Sequence, residues 1–199
     1  MTKILFAIIF SLTTILVFAQ VSDFNHTLGT YKDERDGHVY NTITFKKEIE
    51  GVVIERTWFA ENAKRVVEGS YCYKDLEVYC EKYGRLYNYK AANEACPDGW
   101  HVPTIKEWNY LFSFFDGRHE AGAHLIEGQG SDMHMLYGGF AEAGHKFKDI
   151  TVSGNWWDNE LKGDDKAGII TMISNSSEIY HSVIGNKHKL STRCVKKHD

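Results

Sequence analysis

The chain has 199 residues, 43% of them apolar and 25% charged, with two prolines. That is the composition of one globular domain or two small ones, and it excludes fibrous, collagen-like and low-complexity classes. Lysine and arginine total 23 against 27 aspartates and glutamates, a net charge of −4, so no long-range positive field draws in a polyphosphate backbone and nucleic acid is not an expected partner.

Lys3 and the apolar run Ile4 to Ala19, with small residues around Phe18, read as the charged region, hydrophobic region and cleavage site of a signal peptide spanning residues 1–19. Ser11, Thr13 and Thr14 interrupt the run, which falls short of the roughly 20 apolar residues of a spanning helix. Gln20 stands where a lipoprotein has Cys. The expectation is an exported protein, secreted, periplasmic or at a bacterial cell surface, with no membrane span after cleavage. Residues 20–30 are polar and aperiodic and are expected to be a short leader, with order beginning near Tyr31.

Two runs of β-formers follow, His38 to Lys47 and Val52 to Phe59, and the charged residues from Lys46 to Glu50 read as the solvated turn of a hairpin. From Leu86 the pattern becomes helical: Tyr87, Ala91 and Ala95 share one stripe with Cys96, and Pro97 ends the element. Thr104 and Glu107 form a capping box that opens a second helix, in which Trp108, Leu111, Phe112 and Phe115 make one broad apolar face. A glycine-rich region from Gly117 to Asp165 holds only short strand-like runs, Leu136 to Ala141 and Asn155 to Trp157. Three strands are then expected at Ala167 to Ile173, Glu178 to Ile184 and Leu190 to Lys196, with turns at Asn175-Ser176-Ser177 and Gly185-Asn186. The order is that of an α+β domain with two helices, small antiparallel sheets and a long loop region.

The four cysteines, Cys72, Cys80, Cys96 and Cys194, are an even set for an oxidising compartment, so two disulfides are expected. Of the three possible pairings, the short spacing of Cys72 and Cys80 favours a local bridge that leaves Cys96 for Cys194. A zinc site is disfavoured because no C-x-x-C pair exists.

Several motifs carry a resemblance. YKDERDGHVY from Tyr31, TWFAEN from Thr57, YCY with YGRLYNY and ACPDGWHVP between Tyr71 and Pro103, and STRCVKK from Ser191 together resemble the Fibrobacter succinogenes major paralogous domain over residues 31–197. GNWW from Gly154 is a further match. The sequence departs from the family pattern in the longer, more charged stretch Phe45 to Arg56, and in Asp158-Asn159-Glu160 where a serine-rich stretch is usual. The resemblance implies a C-type lectin-like architecture, similar to formylglycine-generating enzymes, in which the helix bearing Cys96 is tied to the last strand bearing Cys194. It also implies that Trp100 and His101 are buried scaffold, His101 needing a hydrogen-bond partner there.

Three chemistries are weighed. Asp158, Glu160, Asp164 and Asp165, with Asn159, are the hard oxygen ligands that calcium requires, set around Gly163; no other cofactor is expected, and a solvated acidic turn is the plain alternative. Tyr137, Phe140, Trp156 and Trp157, with Asn159, could form a platform for a carbohydrate or a cell-surface protein, although alternation along a strand lets only one of the two tryptophans face a given side. An oxidase of the formylglycine-generating type is the enzymatic alternative, but it needs a reactive cysteine pair and here disulfides claim all four. No catalytic residue is assigned, since no nucleophile elbow, metalloprotease helix or nucleotide-binding loop is present. His119, His124, His134 and His145 have spacings that place them on no common helical face. The expected function is non-catalytic ligand binding or adhesion through loops 117–165, with a purely structural envelope role as a further alternative.

Overall fold

A computed structural model describes residues 26–129 and 131–198; the expected signal peptide and residues 20–25 of the leader lie outside them. Twelve strands and four α-helices occur among the described residues: β1 (His26–Lys32), β2 (Val39–Ile49), β3 (Val52–Phe59), β4 (Ser70–Tyr71), α1 (Glu77–Tyr83), β5 (Leu86–Tyr87), α2 (Tyr89–Ala95), β6 (Trp100–His101), α3 (Ile105–Phe112), α4 (Ala121–Leu125), β7 (Gly138–Ala141), β8 (Phe147–Ile150), β9 (Ser153–Leu161), β10 (Lys166–Ile173), β11 (Ile179–Gly185) and β12 (Val195–Lys196). The α+β class and both disulfides, Cys72 with Cys80 and Cys96 with Cys194, are present. Sheet content is larger than the sequence suggests, and α1 and α4 add two short helices to the two expected.

One five-stranded sheet runs β1-β2-β3-β12-β6 and the other β11-β10-β9-β7-β8; β4 and β5 pair separately. All pairings between these strands are antiparallel except β7 with β9. The last three expected strands do not form one meander. β10 and β11 pair with each other, whereas β12 crosses to the first sheet and lies between β3 and β6.

Residues 26–30, expected in the leader, belong to β1, which pairs with β2 from His26↔Phe45 to Lys32↔Val39. This strand is mostly exposed, so no apolar alternation marks it; it is held by main-chain pairing to an edge that would otherwise present unpaired N–H and C=O groups. The hairpin turn is also shorter than expected. Lys46 to Ile49 stay in β2, and Ile49 pairs with Val52 across Glu50 and Gly51, both at positive φ (53° and 79°), the conformation that matches the twist of a two-residue hairpin.

The element boundaries of α2 and α3 have local causes. The Asn88 side chain accepts from the Ala91 N–H at 2.9 Å and caps α2, which starts at Tyr89, so Tyr87 ends a strand instead of opening the helix. Arg35 closes the other end: its guanidinium grips buried Asp33 and donates to the carbonyls of Glu94, Ala95 and Cys96, which are C-terminal acceptors left without intrahelical donors. The Thr104–Glu107 capping box at α3 is complete.

Adjacent residues on β3 and β9 feed two different cores. Trp58 and Trp156 join Trp108, Leu111, Phe112 and Phe115 in one cluster. Phe59 and Trp157 join Tyr40, Tyr87, Trp100 and the Cys96–Cys194 bridge in the other, against α2. Strand alternation sends neighbours to opposite faces, and here both faces are covered.

Candidate functional site

Both tryptophans expected in a binding platform are fully buried. Trp156 Nε1 donates to Asn62 Oδ1 at 2.8 Å, and Trp157 Nε1 donates to the Tyr87 carbonyl at 2.7 Å. Burying an indole of about 150–250 Å² stabilises by roughly 4–6 kcal/mol before ordering costs, so both rings serve the core. Gly154 makes room for one of them: a Cβ there would overlap the Trp156 ring. Tyr137 and Phe140 are half-buried and pack on the two different cores. The four aromatics therefore form no common exposed face.

The expected calcium ligands also separate. Asp164 and Asp165 are exposed beyond the end of β9. Asp158 is fully buried, and its Oδ2 lies 2.6 Å from His181 Nε2 on β11. Glu160 lies close to both, the donor atoms of Asp158, Glu160 and His181 all falling within 4.8 Å of one another. Burial pushes the Asp158 carboxyl up from its ordinary value, with His181 opposing. Asn159 faces away, accepting from the Tyr89 hydroxyl at 3.3 Å.

His101 has the partner it needs in Glu107, 3.0 Å from its Nε2. Burial alone would raise Glu107, but His101 and Thr104 outweigh it and hold the carboxyl below its usual range. The other histidines do not meet: His119 pairs with Glu178, His145 with Asp75, His124 stacks on Phe115, and the His134 carbonyl accepts from Arg193.

Arg193, in the terminal RCVK motif, is fully buried. It donates to Asn62 Oδ1, the Phe59 carbonyl and the His134 carbonyl at 2.8–3.0 Å. Burial lowers its pKa to about 9, and three oxygen acceptors hold the charge in place without a direct carboxylate. Asn62 joins three segments of the interior, those of Trp156, Arg193 and Tyr83, since its Nδ2 also donates to the Tyr83 carbonyl.

A wide concavity lies where no sequence motif pointed. A cleft of about 650 Å³ is lined by Asn88, Tyr89, Lys90, Asn93 and Glu94 of α2 and its cap, Leu161 at the end of β9, Gly163 and Asp164 of the β9–β10 connection, and Asn186 and Lys187 after β11. This size suits a small ligand. Its floor is apolar, from Tyr89 and half-exposed Leu161, and its rim is amide and charged. The walls are tied together: the Tyr89 N–H donates to the Asn186 carbonyl, the Asn186 N–H to that of Asp165, and Asn186 Nδ2 to that of Asp164, at 2.8–3.0 Å. Trp157 supports Tyr89 from behind, edge to face at 5.6 Å. Of loops 117–165, only Leu161, Gly163 and Asp164 reach this cleft. The α2 residues were legible only as a helix and Asn186 only as a turn.

No helix among the described residues is long and apolar enough to cross a membrane. The family model described as the Fibrobacter succinogenes major domain matches residues 47–196; the YKDERDGHVY block precedes the match. No curated protein and no solved structure matches the chain.

Proposed function

Because the chain belongs to the Fibrobacter succinogenes major domain family, we propose that it is an exported, non-catalytic recognition domain of C-type lectin-like architecture that binds a carbohydrate in the cleft between α2 and the β9–β10 connection. The observation that carries this reading is the cleft itself: an apolar floor with a rim of Asn93, Asn186, Asp164, Glu94 and lysines supplies a surface for a sugar's C–H face and partners for its hydroxyls. The Cys96–Cys194 bridge at the end of α2 and the cross-wall hydrogen bonds hold that rim in place, so little ordering entropy opposes binding. The oxidase alternative requires one of the two disulfides, Cys72–Cys80 or Cys96–Cys194, to be accessible and reducible.

A glycan array probed with the labelled mature protein tests this, alongside Leu161→Asp and Asn93→Ala. Binding that falls at least tenfold in both variants is the expected result. Binding that ignores both substitutions overturns the cleft assignment. A blank array with a positive pull-down from cell-surface extracts moves the reading to a protein ligand, and a blank in both favours a purely structural role. Thiol titration of the native protein should find none reactive; an accessible, reducible pair would favour the oxidase reading.

A further inference from the structure

Asp158 and Glu160 lie where β9 bulges against β10, Trp157 to Leu161 spanning Ile169 to Ala167, and their side chains turn toward His181 while that of Asn159 turns toward Tyr89. Across the sheet, Ile170 of β10 faces both Trp156 and His181 of β11. Two residues before Ile170 on the same face, Gly168 leaves a gap, and the Asp158 carboxylate fills it: a Cβ at Gly168 would overlap both Asp158 oxygens. The carboxylate thus reaches His181 across a strand that has no side chain between them.

The result is an unusual position for an acid. Asp158 is wholly buried, and its Oδ1 has no hydrogen-bond partner among the described residues. An unpaired carboxylate oxygen in the interior carries a desolvation cost that His181 alone does not remove. Glu160 sits at the solvent side of the pair, half-exposed, its Oε1 held by Lys162. The three side chains converge with donor atoms within 4.8 Å. Ligands of one ion with bonds of about 2.1 Å lie about 3.0–3.4 Å apart in tetrahedral or octahedral geometry. The Asp158–His181 separation of 2.6 Å is a hydrogen-bond distance that must open by about 0.4–0.8 Å to admit an ion, and the half-exposed Glu160 side chain has the freedom to supply the third ligand.

We propose that Asp158, Glu160 and His181 form a binding site for one borderline divalent transition-metal cation, with Zn²⁺ the best fit. Two carboxylates and one imidazole are a mixed oxygen and nitrogen set, which suits zinc, cobalt or manganese; calcium takes six to eight oxygens and gains nothing from the ring. The cation satisfies the orphaned Asp158 oxygen and replaces the proton between Asp158 and His181. Because Glu160 and His181 are on the open side of the site, at least one coordination position faces solvent. The site is separate from the cleft, on the other face of β9, and stands or falls independently of carbohydrate binding.

The test is calorimetric titration of the full mature protein with ZnCl₂, with Co²⁺ as a spectroscopic probe. One equivalent of Zn²⁺ should bind, and bound Co²⁺ should show visible d–d absorption. His181→Gln and Glu160→Gln, both at partly exposed positions, should each weaken binding at least tenfold, while the double variant D164N/D165N should bind as the unmodified chain does. Circular dichroism confirms that each variant is folded, and Glu160→Gln remains informative should the histidine variant unfold. Absence of Zn²⁺ binding at millimolar concentration would show the group to be an ion pair only, and binding unchanged by both His181→Gln and Glu160→Gln would place any zinc at another histidine; either result overturns the proposal.

Discussion

Asn62→Ala removes one small side chain from the interior and should be among the most damaging substitutions in the protein. Asn62 Oδ1 accepts from Trp156 Nε1 and from Arg193 Nε, both at 2.8 Å, and Nδ2 donates to the Tyr83 carbonyl. Truncation leaves a buried indole N–H, at about 1–3 kcal/mol, and a buried guanidinium N–H, which costs more because it is charged. No water-accessible alternative exists for the arginine, which is wholly enclosed. We expect a loss of about 4 kcal/mol, or a drop in Tm of roughly 8–16 °C for a chain of this size. Asn62→Asp keeps the acceptor and places a carboxylate beside Arg193, at the expense of the donation to Tyr83; its cost should be about 1–2 kcal/mol at neutral pH. Urea denaturation with the disulfides intact measures both. A loss below about 1 kcal/mol for the alanine variant, or an aspartate variant as unstable as the alanine one, would refute the view that the acceptor oxygen organises this part of the core.

Thr104→Ala breaks the capping box of α3 and should cost about 1 kcal/mol, read as a shift of the urea midpoint without a change of slope. Replacing Cys96 and Cys194 together by alanine releases a loop closed over a separation of 98 residues; the chain-entropy model puts the loss near 4.7 kcal/mol, and a denaturation curve at one urea series checks it. Asp33 is held below its ordinary value of 3.8 by Arg35 hydrogen bonding. A carboxyl depressed in the folded state contributes stability that is present above its unfolded value and lost as pH falls through the folded one. Arg35→Gln should therefore cost roughly 1.5–3 kcal/mol at neutral pH, and the gap to the unmodified chain should narrow as pH falls below 3.8, leaving the part due to the bonds to the α2 carbonyls, followed by thermal melts in acid.

How far the sequence reaches can be judged residue by residue. The Thr104–Glu107 box and the apolar face of α3 were legible because a capped amphipathic helix is written in neighbouring positions. The short Cys72–Cys80 loop was legible for the same reason, and it left Cys96 to find Cys194 once two bridges were assumed. β1 was not legible, because its stability comes from pairing with β2 and leaves few buried side chains to mark it. The paired tryptophans show the limit most clearly: alternation says that Trp156 and Trp157 point opposite ways, but it cannot say that both sides of β9 are covered. That depends on α3 packing against one face and α2 against the other.

The same division runs through the candidate sites. Asp158 and Glu160 stood out as acidic ligands in a loop-like stretch, yet they lie on a strand, and their partner is His181, 23 residues from Asp158, which the sequence marked only as part of the strand Glu178 to Ile184. Gly168 gave no sign that its missing side chain houses a carboxylate. The cleft is assembled from α2, the β9–β10 connection and the turn after β11, three segments far apart in the chain. Local composition and spacing determined the capped start of α3, a hairpin and an even cysteine set, since the helix start and the hairpin each depend on residues within a turn or two of one another. Which faces were buried, which acid met which base and where a ligand could enter were decided by the packing of two sheets around two cores, because those contacts join residues whose separation along the chain carries no short-range signal.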